Sequence, residues 1–175
     1  MTQENKILLL ARKGYELLIG AGSLMQHIFL LAFRLSWGVQ FYQSGAGKLK
    51  NHADIVSFFT DLGIPLPDLN AWVVAGVECV GGILLLAGLA SRPVGLVLTV
   101  TMTVAYLSVA DDRAKVFNMF KDPDAFLQAD PFFFLLTALL VFCFGPGKIS
   151  VDYLLGRFLF NKNDSTTKEQ TEETT

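Results

Sequence analysis

The chain has 175 residues, of which 52% are apolar and only 17% are charged, and its mean hydropathy is +0.45. Soluble domains carry roughly 25% charge, so this balance excludes an ordinary soluble domain, and the length allows one domain and hardly two. The formal net charge of −2 gives a nucleic-acid partner no electrostatic support.

Residues 6–19, "KILLLARKGYELLI", form a first amphipathic piece suited to the headgroup region. A first span is expected from about Leu24 to Gln43. A signal peptide is the competing reading of this region. Gln26, His27 and Arg34 interrupt the apolar stretch, however, and no small-x-small cleavage site follows, so it reads as a retained span. Ile55, Phe58, Phe59 and Leu62 then recur at i, i+3, i+4 and i+7 before Gly63 and Pro65. That spacing predicts a short helix with one apolar face.

The second span, about Ala71 to Ala90, has Asn70 placed to cap it. The third runs from about Pro93 to Ala110, with Ser91 and Pro93 at its start. The following loop holds Asp111, Asp112, Asp122, Asp124 and Asp130 in no EF-hand spacing, which reads as solvated acid. The fourth span starts at Asp130-Pro131, a capping carboxylate before a proline, and stops at Gly145-Pro146-Gly147. It is short for a span, so it either crosses obliquely or begins before Asp130. Residues 151–160 place Val151, Leu154, Leu155, Phe158 and Leu159 on one side of a further amphipathic helix. From Asn161 the tail is polar and expected to be disordered. The division is therefore a four-span membrane domain over 1–160 and a polar tail over 161–175. The fold class is all-α: a four-helix transmembrane bundle with short amphipathic interfacial helices.

Cys79 and Cys143 form no C-x-x-C or zinc pattern, and both read as small buried hydrophobes. Beside the spans, seven Lys and Arg fall on the N-terminal side of the membrane and five on the other. This bias puts both termini in the cytoplasm.

Two charges lie inside apolar spans. Arg34 shares a helix face with His27, Gly38, Phe41 and Gly45, and Lys48 continues that line. Glu78 lies among Ala71, Ala75, Gly81 and Gly82. Small residues beside a charge let a neighbouring backbone come close. Counted from the expected span ends, Arg34 and Glu78 reach nearly the same depth. They are therefore expected to pair, because a lone charge at the bilayer centre costs about 2.5–3.5 kcal/mol or more. Gln40 lies off this stripe and is expected to line a different groove. The candidate functional residues are Arg34, Glu78, Gln40 and Lys48, with Gly38, Gly45, Gly81 and Gly82 as packing positions.

Several fragments together resemble the DoxX family of small bacterial membrane proteins. They are "RLSWGVQFYQSGAGKLKN", "NAWVVAGVECVGGILLLAGLASR" and "FLQADPFFFLLTALLVFCFGPGKISVDYLL". The resemblance covers about residues 30–156. It rests on Arg34, on the G-x-x-K-L element at Gly45, Lys48 and Leu49, on Glu78 with Gly81 and Gly82, and on Gly88, Leu89 and Arg92. It implies a four-helix bundle in the bacterial cytoplasmic membrane. It also implies a link to quinone-dependent redox or oxidative-stress assemblies, through a membrane oxidoreductase partner or a homo-oligomer. No haem, flavin or metal motif is visible, so quinone is the one cofactor suggested. A small-molecule or proton-coupled transporter, with Arg34, Glu78 and Gln40 along one path, and a membrane scaffold without chemistry are the other readings.

Overall fold

The computed structural model describes residues 3–158, with side chains from residue 9 onward except at position 11. The tail expected to be disordered lies outside the described residues, as does Leu159. The described chain is helical with short connections: α1 (Gln3–Lys50), α2 (His52–Asp61), α3 (Pro67–Ala87), α4 (Ser91–Ser108), α5 (Ala110–Phe117), α6 (Pro123–Leu127) and α7 (Pro131–Phe144). Residues 151–158 form an eighth helical segment.

Four of these helices are long and apolar, and they pack in a ring. α1 lies on α3, α3 on α4, α4 on α7 and α7 on α1. The shared core is Phe41, Leu85, Leu98, Met102, Ala138 and Val141. Trp37 stacks on Phe133 of α7, and Trp37 and Phe41 each meet Phe134 edge to face. The outward faces are apolar too, including Val73, Val80, Ile83, Val97, Val100 and Leu139. A helix apolar on all sides suits a lipid solvent. The hydroxyls of Thr99, Thr101, Thr103 and Ser108 in α4 each donate to the carbonyl four residues back, at 2.7–2.9 Å. These four hydroxyls are thus satisfied within the helix that carries them.

By length and composition, α1 from Arg12 onward and α3 can each cross a membrane. α4 and α5 qualify only as one broken span, bent by 102° at Val109, whose extended backbone interrupts the helix. α7 has 14 residues, or about 21 Å, and it starts at Pro131 rather than before Asp130.

Several sequence expectations need correction. The piece over 6–19 is not a separate interfacial helix, because it runs without a break into α1. That helix has 48 residues, or about 72 Å, so its first half extends well past α3. Asn70 does not cap α3. The helix begins at Pro67 after Leu66 in left-handed backbone, and the Asn70 amide donates to the Pro65 carbonyl at 2.6 Å. Asp130 precedes α7 but makes no capping hydrogen bond. Cys143 is exposed on α7 rather than buried.

Glycines set the close contact between α1 and α3. A Cβ on Gly45 would lie 2.6 Å from the Cys79 amide nitrogen and 2.7 Å from the Ala75 carbonyl. One on Gly82 would lie 2.6 Å from the Tyr42 nitrogen and 2.7 Å from the Gly38 carbonyl. Gly38 faces Leu86 and Gly82, while Gly81 turns to Leu98 of α4. Backbone cannot retreat as a side-chain tip can, so Gly45→Val and Gly82→Val should each cost about 1–3 kcal/mol or more. A sharp fall in monodisperse yield is expected from gel filtration in mild detergent. Gly76→Ala, which meets nothing within 4 Å, should elute as the native chain does.

Candidate functional site

The glycine contacts fix which charges can meet. With Gly38 against Gly82 and Gly45 against Cys79, Arg34 is level with Gly88. Glu78 is level with Ser44, ten residues further along α1, or about 15 Å. Arg34 and Glu78 therefore do not pair, and that expectation is corrected. It failed because the depths were counted from the wrong ends: α1 neither starts at Leu24 nor stops at Gln43.

Arg34 is buried and answered by backbone. Its Nε donates to the Leu85 carbonyl at 2.8 Å, and Nη2 donates to Leu86 at 3.2 Å. Nη1 donates to Pro146 at 2.5 Å and to Ile149 at 3.0 Å. The guanidinium thus takes the Leu86 carbonyl and shares that of Leu85 with the Gly88 amide, at the C-terminus of α3 where the helix dipole favours a cation. It also ties that end to the connector after α7. Gly88, in left-handed backbone at φ +66°, leaves the space, since a Cβ there would collide with Arg34.

Asp152 completes the knot. Its carboxylate accepts from the amides of Ala90 at 2.7 Å and Ser91 at 2.8 Å, capping α4 from a distant part of the chain. Its own amide donates to the Gly88 carbonyl at 2.9 Å. Burial disfavours the charge of Asp152, but the hydrogen bonds from Ser91 and Ala90 and the nearby Arg34 outweigh it. They hold its carboxyl below the usual carboxylate range. Asp152 carried no signal beyond its place in an amphipathic segment, because its partners are about 60 residues away.

Glu78 lies midway along α3, and with Lys48 near the end of α1 it belongs to a different constellation, on the side of the bundle away from the knot. Lys48 Nζ donates to Glu78 Oε2 at 2.5 Å and to Ser44 Oγ at 2.7 Å. The Glu78 side chain is 3% exposed and that of Lys48 is 23%. Helical side chains lean toward the N-terminus, so Lys48 reaches back one turn to meet Glu78. Lys48 was legible as a continuation of the Arg34 stripe. Its pairing was not, because that depends on register.

This ion pair borders a cavity of about 250 Å³ among α1, α2, α3, α4 and the start of α7. The other lining groups are mostly apolar: Phe58, Phe59, Leu62 and Ile64 from α2 and its loop, Val74, Met102, Ala105 and Phe134. The apolar face of α2, predicted from its spacing, is thus turned to the cavity. Gln40 is exposed on α1 and lines neither the Arg34 knot nor the cavity. The three polar residues Arg34, Gln40 and Glu78 do not form one path. Of the loop acids, Asp112 pairs with Lys115 at 2.8 Å, Asp122 accepts from the Ala125 amide at 3.1 Å, and Asp130 lies at the cavity rim.

Removing the Arg34 guanidinium leaves four carbonyl contacts unmade, each worth about 1–3 kcal/mol where the group stays dry. Arg34→Ala should strongly reduce folded yield. The double exchange Arg34→Glu with Glu78→Arg should do no better, because the two sites are separate; recovery of yield would show direct pairing instead. Asp152 has a lowered folded pKa, so its contribution is present above its ordinary value of 3.8 and is lost as pH falls through the lower folded value. Asp152→Asn should lower the melting temperature at neutral pH and flatten the decline seen on acidification below that value.

A family model described as DoxX matches residues 29–111. The chain is similar to the Bacillus subtilis (strain 168) protein named "Putative oxidoreductase CatD", with 34% identity over 79 residues. That alignment covers 45% of this chain and 58% of the relative, so the match spans little more than half the relative's length. No solved structure matches the chain. The matched segment holds Arg34, Lys48 and Glu78 and ends before α7. Residues 29–111, which run from α1 to the beginning of α5, thus resemble the DoxX family, and they make up a little under half of this membrane protein.

Proposed function

We propose that this protein is a member of the DoxX family, that it serves as an accessory subunit or partner of a quinone-linked redox assembly, and that its cavity holds the ring of a quinone. The observation that carries this reading is an apolar cavity of about 250 Å³ with the Lys48–Glu78 pair on its wall. A dry cavity of about 150 Å³ accepts a benzene ring. The larger space here suits a substituted ring, and the ion pair supplies polar groups for its oxygens. Ligand sites of this kind, apolar with a few convergent polar groups, are common between bundle helices. The name of the Bacillus subtilis relative, an oxidoreductase, agrees with redox chemistry nearby.

The setting proposed is the bacterial inner membrane, crossed four times with both termini cytoplasmic. The excess of Lys and Arg beside the spans on the N-terminal side supports that orientation. The Arg34–Asp152 knot would then close the cytoplasmic end, and the cavity would open toward the opposite face. The scaffold reading draws on the knot itself, where four guanidinium hydrogen bonds go to backbone. The two roles sit at opposite ends and are compatible.

Purification from its own membrane in mild detergent, followed by solvent extraction and chromatography, tests the proposal. Quinone near one equivalent per chain is expected. Ala105→Phe fills the cavity without touching either charge, and it should reduce bound quinone at least about tenfold with an unchanged elution profile. Extraction of phospholipid alone from both proteins would overturn the quinone reading.

A further inference from the structure

A quinone and its quinol differ in one respect that this cavity can sense. Glu78 Oε2 accepts from Lys48, whereas Oε1 accepts from no group among the described residues. The side chain is nearly buried and borders the cavity, so whatever occupies that space, water or a ligand, can donate to Oε1. The Lys48 ammonium has three hydrogens, and two are committed to Ser44 and Glu78. A free donor and a free acceptor therefore stand side by side. Of the other polar lining groups, Ser44 accepts from Lys48 and keeps its hydroxyl hydrogen to give to either form of the ligand, while the rest have little left to offer. Thr101 and Ser108 bond back to their own helix, and the Asn70 amide donates to Pro65. Asp130 lies at the exposed rim.

A ring carbonyl can take a hydrogen bond from Lys48, but it has nothing to give Glu78. A ring hydroxyl can do both. We infer that the cavity selects the hydroxyl-bearing, reduced form of a ring ligand over the corresponding dione, through Glu78 Oε1. This selection rests on the ring-site reading given above. Glu78 is then a specificity residue whose second oxygen reads the redox state of the ligand, and Lys48 holds the ligand oxygen common to both forms.

Binding of three single-ring probes to the full chain in nanodiscs tests the inference. The probes are duroquinol, its dimethyl ether and duroquinone, measured anaerobically by equilibrium dialysis and corrected for partition into protein-free discs. Duroquinol should bind at least about tenfold tighter than the other two, as one hydrogen bond to a charged acceptor allows. The dimethyl ether keeps the ring but cannot donate, so it should rank with the dione. In Glu78→Gln, the preference should fall to about threefold or less while duroquinone binding persists. Because the ether comparison needs no variant, the inference remains testable if Glu78→Gln folds poorly. Three probes bound equally by the native chain would overturn the selection and leave the ring site standing. No binding by any probe would overturn both.

Discussion

Contact between the backbones of α1 and α3 governs the rest of the molecule. Gly38 and Gly45 on one helix meet Gly82, Ala75 and Cys79 on the other at distances no side chain can occupy. Such contacts admit few registers, because sliding either helix by a turn would put larger residues where the glycines are. The register in turn decides which polar groups share a level. In a solvent that cannot hydrate charge, that choice determines whether each charge is answered.

The result is a bundle with two unlike ends. At one end, Arg34 and Asp152 join the α3–α4 turn to the segment after α7. Each charge meets backbone groups of opposite polarity at a helix terminus, so helix ends that lipid could not satisfy are closed by side chains. At the other end, Lys48 and Glu78 neutralise one another beside a cavity. The first arrangement uses most of its hydrogen-bonding capacity internally and leaves little for a ligand. The second leaves a donor and an acceptor directed at open space. The first arrangement holds together the helices that shape the second.

The small helix α2 completes the wall of this cavity. It has no buried residue of its own, and it rests mainly on α3. His52 meets Asp68 at 2.9 Å and lies over Trp72 at its base. Its aromatic pair, Phe58 and Phe59, supplies the cavity wall that the four long helices leave incomplete.

The all-helical class, the apolar helices and the short α2 were legible in the sequence, because periodicity and hydropathy are local properties. So were the residues of the two polar clusters: Arg34 and Glu78 stand out as charges in apolar surroundings, Lys48 continues the Arg34 stripe, and the glycines mark close approach. The extent of α1 was less legible, since Gln26, His27 and nearby polar residues interrupt the hydropathy without interrupting the helix. The identity of each charge's partner was decided only by tertiary structure. Arg34 took carbonyls from the end of α3 and the chain beyond α7, and Asp152 took amides from α4, all distant in sequence. A sequence marks a charge that must be answered. Which group answers it depends on a helix register set by side chains elsewhere, and a shift of two or three turns changes every pairing.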